Sequence, residues 1–440
     1  MATEEHPIPP FPAGFLWGVS TSAHQIEGAA ELREPSVWDA FTAEPGRVKD
    51  GSTAAVAVDH YHRYPEDVAL LADLGVDAYR FSISWPRVRA EGGLDFYDRL
   101  VDALCTAGVR PVPTLFHWDL PTALQEKGGW LERDTAARYA EYVSAVAERL
   151  GDRVKKWITI NEPAEHTLFG HALGAHAPGK QLMFDALPVA HHLLLAHGLG
   201  VQALRAAGAS DIGIANSHGP TWPASQEQPD LEAAAFYDLL LNRLFAEPVL
   251  LGEYPDGLGD LMPGDVAADL KVISEPLDFY GVNYYAPTRV GAPQGADIEF
   301  GGLTIPAELP FSVQQIENVP VTDFGWPVVP EGLTEVLTGF RERYGDRLPP
   351  VVITENGCSY EGVHDQARIA YLDGHVRALH KAVEAGVDVR GYFVWSLMDN
   401  FEWAEGYAQR FGLVHVDLDT QERTPKDSYR WFQELLRTQG

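Results

Sequence analysis

Apolar residues fall along the chain in two alternating periods. Short, nearly continuous apolar runs occur at 16–20, 78–82, 111–115, 156–160, 212–216, 279–283, 351–354 and 391–395. Several are rich in β-branched residues, as strands covered on both faces are. Between them apolar positions recur three and four apart, the period of a helix with one buried face. This spacing predicts helices over 65–74, 134–150, 187–207, 231–245, 332–344, 366–385 and 425–436. Pro65 near one predicted start, and Gly75, Gly151 and Gly386 just past predicted ends, are the expected punctuation. Eight strands alternating with helices predict α/β architecture, a single (β/α)8 TIM barrel over residues 1–440. No Gly-x-Gly-x-x-Gly follows the first strand, which removes the main reason to prefer an open dinucleotide-binding sheet. Two stretches without periodicity, 33–59 and 291–329, are expected as long loops over the C-terminal face.

Composition narrows the function classes. With 45% hydrophobic and 11% aromatic residues in 440, the chain can bury a large core, and no low-complexity linker divides it. The formal charge of −30 disfavours nucleic acid and anionic lipid as partners, because both are held by clustered Lys and Arg. It also repels phosphorylated small molecules at long range. The two cysteines, Cys105 and Cys358, are far apart and exclude a disulfide framework or a cysteine zinc site. Residues 1–12 lack the basic and apolar regions of a secretory signal, and no apolar run approaches the ~20 residues of a membrane span. The expectation is a cytoplasmic protein without a membrane partner.

In a barrel of this kind the reacting groups come from the C-terminal ends of the strands. At or near those ends stand Gln25, Arg80, His117, Asn161 with Glu162, Asn216, Asn283 with Tyr285, Glu355 with Asn356, and Trp395. Turn chemistry alone would place Gly, Asn, Asp and Ser there; Gln, His, Glu and Arg are poor turn formers. As a set they mark a site. Glu162 lies in TINEP after the fourth strand and Glu355 in ITENG after the seventh, nearly opposite each other across an eight-stranded mouth. Two facing carboxylates suit glycoside cleavage, one to protonate the leaving oxygen and one to attack or to activate water.

Other polar clusters carry less. His191, His192 and His197 have no zinc-binding spacing and are expected as packing residues. His166, His171 and His176 lie five apart, off any one α-helical face, and are expected in a loop bordering the site. Trp38, Trp118, Trp130 and Trp157 are expected mostly in the core. No metal site and no cofactor are expected.

The ordered motifs resemble glycoside hydrolase family 1, the β-glucosidase family. They are FLWGVSTSAHQIEG at 15–28, YRFSISWPR at 79–87, TLFHWDLP at 114–121, TINEP, GVNYY at 281–285, ITENG, and WSLMDNFEWAEGY at 395–407. The resemblance spans almost the whole chain. It implies a retaining β-glycosidase acting on small-molecule β-glycosides or β-linked oligosaccharides, with glucose as first choice and fucose and galactose open. It also implies that Glu162 is the acid/base and Glu355 the nucleophile. Gln25, His117, Asn161, Glu402 and Trp403 are similar to the residues that hold sugar hydroxyls, and Trp395 to the platform under the ring. Arg80, Asn283 and Tyr285 resemble the groups that steady the nucleophile and the sugar, and Trp326 the aromatic on the aglycone side.

Charge and polarity agree with those roles. A fixed positive charge at Arg80 would favour the ionised form of Glu355, while burial and the Glu355 charge would keep Glu162 protonated. The chain departs from the family pattern at His24, where an aromatic is usual, and in the short connection 88–95. It departs again at Ala164, where many members carry a bulky aromatic, which implies a roomier aglycone side. Glu402 and Glu405 oppose a 6-phospho-β-glycosidase, and Glu162 opposes a thioglucosidase, which would carry Gln there. A binding module without turnover would have little use for the complete carboxylate pair.

Overall fold

The computed structural model describes residues 7–300 and 303–439. Its centre is a ring of eight parallel strands: β1 (Leu16–Ser20), β2 (Ala78–Ser82), β3 (Arg110–Phe116), β4 (Lys156–Asn161), β5 (Asp211–Ser217), β6 (Tyr280–Asn283), β7 (Val351–Asn356) and β8 (Val389–Trp395). Each strand pairs with the next in sequence, and β8 closes the ring on β1 with Ser20 opposite Trp395. The expected barrel is present. Several strands run past their apolar segments because the ladder continues into polar residues: Asn161 pairs with Ala215, and Asn356 with Val394.

Inside the ring one layer is filled from all sides by Leu16, Ala78, Val112, Ile158, Ala215, Phe279, Val352 and Phe393. A Cβ on Gly18 would overlap the Phe393 ring, so glycine in β1 is what lets that ring lie flat in the layer. Lys156 lies 3.7 Å over the Phe279 ring, its ammonium facing the ring's negative face.

The helices follow the predicted order with informative differences. Asp134–Leu150 is as expected, and Leu187–Ala206 and Gln366–Glu384 end one residue early. Expected to begin at 65, the next helix begins at His60, so Pro65 lies inside it rather than at its start. The extra turn is held by Tyr61, whose N–H donates to Glu27 O, and by buried His60 against Asp67 at 2.7 Å. The single helix expected over 231–245 is broken into Gln228–Asp238, a wide π turn at Leu239–Arg243, and Leu244–Leu250.

The two long stretches at the C-terminal face are more ordered than their lack of period implies. Within 33–59, helix Val37–Thr42 is fixed by a reciprocal capping box between Ser36 and Asp39. Within 291–329, Ser312–Gln314 pairs with Thr288–Gly291, which in turn pairs with Thr221–Pro223, a small sheet on the rim. Among the described residues no helix is long and apolar enough to cross a membrane.

Truncating Phe393 to Ala should cost about 3–5 kcal/mol, because the closed ring cannot collapse into the space left. Guanidinium unfolding followed by tryptophan fluorescence reads this, and a loss below about 1 kcal/mol would show that the ring does not bear on the layer.

Candidate active site

Both carboxylates sit where regular structure is interrupted. Glu162 follows the last residue of β4 with a left-handed backbone, φ 45° and ψ 63°, uncommon for a residue with a Cβ. Its N–H donates to Ala215 O at 2.8 Å, and Pro163 then opens a short helix, which suits a residue without a donor. Glu355 lies within β7 where the register slips against β6 and β8. Such slips re-aim side chains, and this one turns Glu355 toward the mouth.

The two environments are opposite. Arg80, fully buried on β2, donates from Nη1 to Glu355 Oε1 at 2.6 Å and to Thr354 O at 2.9 Å. Tyr285 Oη donates to Glu355 Oε2 at 2.7 Å. Burial holds the Glu355 carboxyl above its ordinary value, although Arg80 first and Tyr285 next pull against it. Among the described residues no cation is in contact with Glu162. Burial, then the charge of Glu355, then that of Glu165, hold it well above the usual carboxylate range.

A polar net joins them. Arg80 Nη2 donates to Asn161 Oδ1 at 2.6 Å, so the Asn161 amide nitrogen faces Glu162 Oε2 at 3.3 Å and His117 Nε2 at 3.2 Å. His117 therefore accepts and is neutral, as burial and the Arg80 charge also require. Asn283 Nδ2 donates to Glu162 Oε1 at 2.8 Å and to Asn161 Oδ1 at 3.0 Å. Asn283 also lowers the Glu355 carboxyl, so its amide stands between the carboxylates, with Glu162 its closest acceptor.

The remaining expected residues form an adjoining wall. Gln25 Nε2 donates to Asn400 Oδ1, Phe401 O and Glu402 Oε2 at 3.1, 2.9 and 3.2 Å. Glu402 is pushed up to about 8 by burial and by the Glu355 charge. The His117 ring stacks at 5.8 Å on Trp395 and 6.0 Å on Trp403. His24 lies parallel to Trp403 at 5.9 Å, and burial lowers it to about 4, so a neutral imidazole serves as the aromatic ring there. Trp326 lies 5.3 Å from Tyr285 at the outer edge. Trp38 and Trp118, expected mostly as core, pack directly on Trp403 at 4.5 and 4.7 Å.

Several strand-end residues are turned elsewhere. Asn216 donates to Tyr280 Oη at 2.7 Å and Asn356 to Tyr284 O at 2.8 Å, so both tie strands together. His166 and His171 are not in a loop. They lie on a π-helical segment, His166–Ala172, whose wider turn brings residues five apart together, with rings 5.1 Å apart. His191 contacts Asp269 at 3.0 Å and Tyr254 at 2.8 Å, and His197 contacts Thr159 at 2.6 Å. Among the described residues no three His, Cys, Asp or Glu side chains are placed to hold a metal ion.

Two carboxyls went unread in the sequence. Glu165 is pushed up to about 7 by burial and adds its charge to those around Glu162. Its position three residues along a helix was the available signal. Asp119, two residues past His117 and 2% exposed, is pushed up to about 8 by burial and the Glu27 charge, against the opposing charge of Arg33. Together the groups set a carboxyl bonded to a guanidinium opposite one held well above its usual range, across a mouth walled by indoles and hydrogen-bonding side chains. Such a wall takes both the C–H face and the hydroxyls of a sugar.

The family model described as Glycosyl hydrolase family 1 matches residues 8–440. The chain is similar to β-glucosidase A of Thermotoga maritima, 43% identical over 98% of each chain. It is 41% identical to a bifunctional β-D-glucosidase/β-D-fucosidase of Bifidobacterium breve, over 97% of this chain and 98% of the relative. Among solved structures, the psychrophilic β-glucosidase BglU from Micrococcus antarcticus superposes with a TM-score of 0.92 at 45% identity, covering 98% of each chain.

Asp119 makes stability depend on pH. Its folded value lies near 8, above the ~3.9 of an unfolded Asp, so the folded state holds the proton longer. That contribution is complete below about pH 4 and is lost as pH rises toward 8. The urea midpoint should fall from pH 5 to pH 8, and Asp119→Asn should lessen the fall. An equal fall in both proteins would place its source elsewhere.

Proposed function

The chain belongs to glycosyl hydrolase family 1, and on that premise we propose that it is a retaining β-glucosidase whose acid/base is Glu162 and whose nucleophile is Glu355. In this reading the barrel is one catalytic domain, and it releases terminal non-reducing β-D-glucosyl residues. The observation that carries the role assignment is the electrostatic contrast: Arg80 and Tyr285 bind Glu355, while Glu162 is buried beside other acids and meets only amide donors.

The reaction then runs in two displacements. The Glu355 carboxylate forms a bond to the anomeric carbon as the bond to the aglycone oxygen breaks, and that oxygen takes the Glu162 proton. Ester formation removes the negative charge at Glu355, the second of the causes holding Glu162 protonated. The Glu162 pKa falls, and its carboxylate takes a proton from the incoming water while the water oxygen displaces Glu355. Trp395 receives the ring face, and Trp403 lies at the hydroxyl side. Gln25, Glu402, His117 and Asn161 receive the hydroxyls. An unphosphorylated sugar is favoured at the Glu402 end, since the nearby cation Lys49 is already engaged by Glu405 at 2.8 Å. A β-D-fucoside, which lacks the 6-hydroxyl, is the second substrate favoured, in line with the bifunctional relative.

Two experiments separate the roles. Glu355→Ala should abolish turnover and regain it with azide, giving the α-glucosyl azide by NMR; the β-azide from that variant would reverse the assignment. Glu162→Ala should lose about 10²–10⁴ in kcat/KM on alkyl glucosides yet little on 2,4-dinitrophenyl glucoside, which needs no proton to leave. Equal loss on both would remove Glu162 as the acid.

A further inference from the structure

The short connection 88–95 bounds a polar cavity of about 370 Å³ that shares no lining residue with the mouth. A turn of three residues, 90–92, joins helix Trp85–Arg89 to helix Gly93–Thr106 and forms one side of it. Gly92 is left-handed at φ 72°, and a Cβ on Gly93 would overlap Arg87 O, so the turn carries little side chain into the space. Arg87, fully buried, lines the cavity with its guanidinium 4.6 Å over the Tyr61 ring. Its Nε donates to Glu27 at 2.7 Å and its Nη2 to Gly28 O at 2.8 Å. Among the described residues Nη1 has no hydrogen-bond partner, an unfavourable state for a buried donor. Glu31 and Glu91, also in the lining, likewise meet no hydrogen-bond or ion-pair partner among those residues.

An occupant must therefore accept from a guanidinium and donate to two carboxylates. A phosphate or carboxylate satisfies Arg87 but is repelled by Glu31, Glu34 and Glu91. An ammonium satisfies the carboxylates but has no acceptor for Arg87, and Arg33 adds a second guanidinium to the wall. A hydroxyl donates and accepts, so it serves both. Leu32, 45% exposed, and the Tyr61 ring offer apolar surface to C–H groups. We propose that this cavity is a second, non-catalytic site for a neutral polyhydroxyl molecule the size of one sugar ring. The volume is of the order of small-molecule sites. Its connection to the mouth runs through Arg33, whose Nη2 donates to Asp39 at 2.7 Å, and Asp39 caps the helix whose Trp38 packs on Trp403.

The probe is D-glucose, titrated by saturation-transfer NMR against the full chain after 2-deoxy-2-fluoro-β-D-glucosyl fluoride has blocked the mouth. Glucose should still bind the blocked protein. Replacing both Glu31→Ala and Glu91→Ala should raise its dissociation constant about tenfold, the loss expected of a hydrogen bond to a charged group. Ala90→Trp, which fills the space from the turn, should abolish binding. Both variants should keep the unmodified kcat/KM on 2,4-dinitrophenyl glucoside, which reports an intact fold and mouth. Should the Trp variant not fold, the carboxylate pair decides alone. An unchanged glucose affinity without Glu31 and Glu91 overturns the inference. So does tighter binding of propylamine or acetate than of glucose at the same residues, since the occupant is then a charged molecule. Failure of the fluoride to label Glu355 bears instead on the glucosidase reading, and the glucose titrations are then compared on the unblocked proteins.

Discussion

The mouth of the barrel is organised by the ion pair between Arg80 and Glu355, both buried, at 2.6 Å. A guanidinium without water is tolerable only if its donors are used, and those of Arg80 reach three other strands. From β2 it reaches Thr114 on β3, Asn161 on β4, and Thr354 and Glu355 on β7. Each contact then restricts the next. Because Asn161 presents its oxygen to Arg80, its nitrogen must face Glu162 and His117, and His117 must be a neutral acceptor. One positive charge therefore orients two amides, sets a histidine tautomer and separates the two carboxyls.

The irregularities around this pair have a common cause. A regular parallel ladder directs alternate side chains into the barrel or into the helix layer, and neither is the mouth. Glu162 escapes by a left-handed residue and Glu355 by slipped register. The wide turns at His166–Ala172 and Leu239–Arg243 displace their helices in a similar way, and an apolar cavity lies between them. Backbone departures thus coincide with the polar mouth and its apolar flank, while the interior layer below is regular and filled.

Much of this was legible in the chain because period and burial are coupled. The eight apolar runs became the eight strands, since a strand covered on both faces has no alternative composition. Glu162, Glu355, Arg80, Gln25, His117 and Tyr285 were legible for the converse reason: such residues at strand ends serve no turn. Asn216 and Asn356 misled, because Asn at a strand end is equally good at tying neighbouring strands. The early start of the helix at His60 and the break at Leu239 were not legible, because both depend on partners far away in sequence.

By itself, then, the sequence determined the barrel and the two carboxylates at the ends of its fourth and seventh strands. These follow from residue type and local spacing, which a linear chain carries. Only the tertiary structure decided that Asn283 turns its amide to Glu162, that Glu165 and Asp119 are acids held above their ordinary range, and that the space beside Ala164 is apolar. Protonation and cavity shape are properties of surroundings. The surroundings of Glu162 come from β4, β6 and β7 together, and no segment of the chain contains them alone.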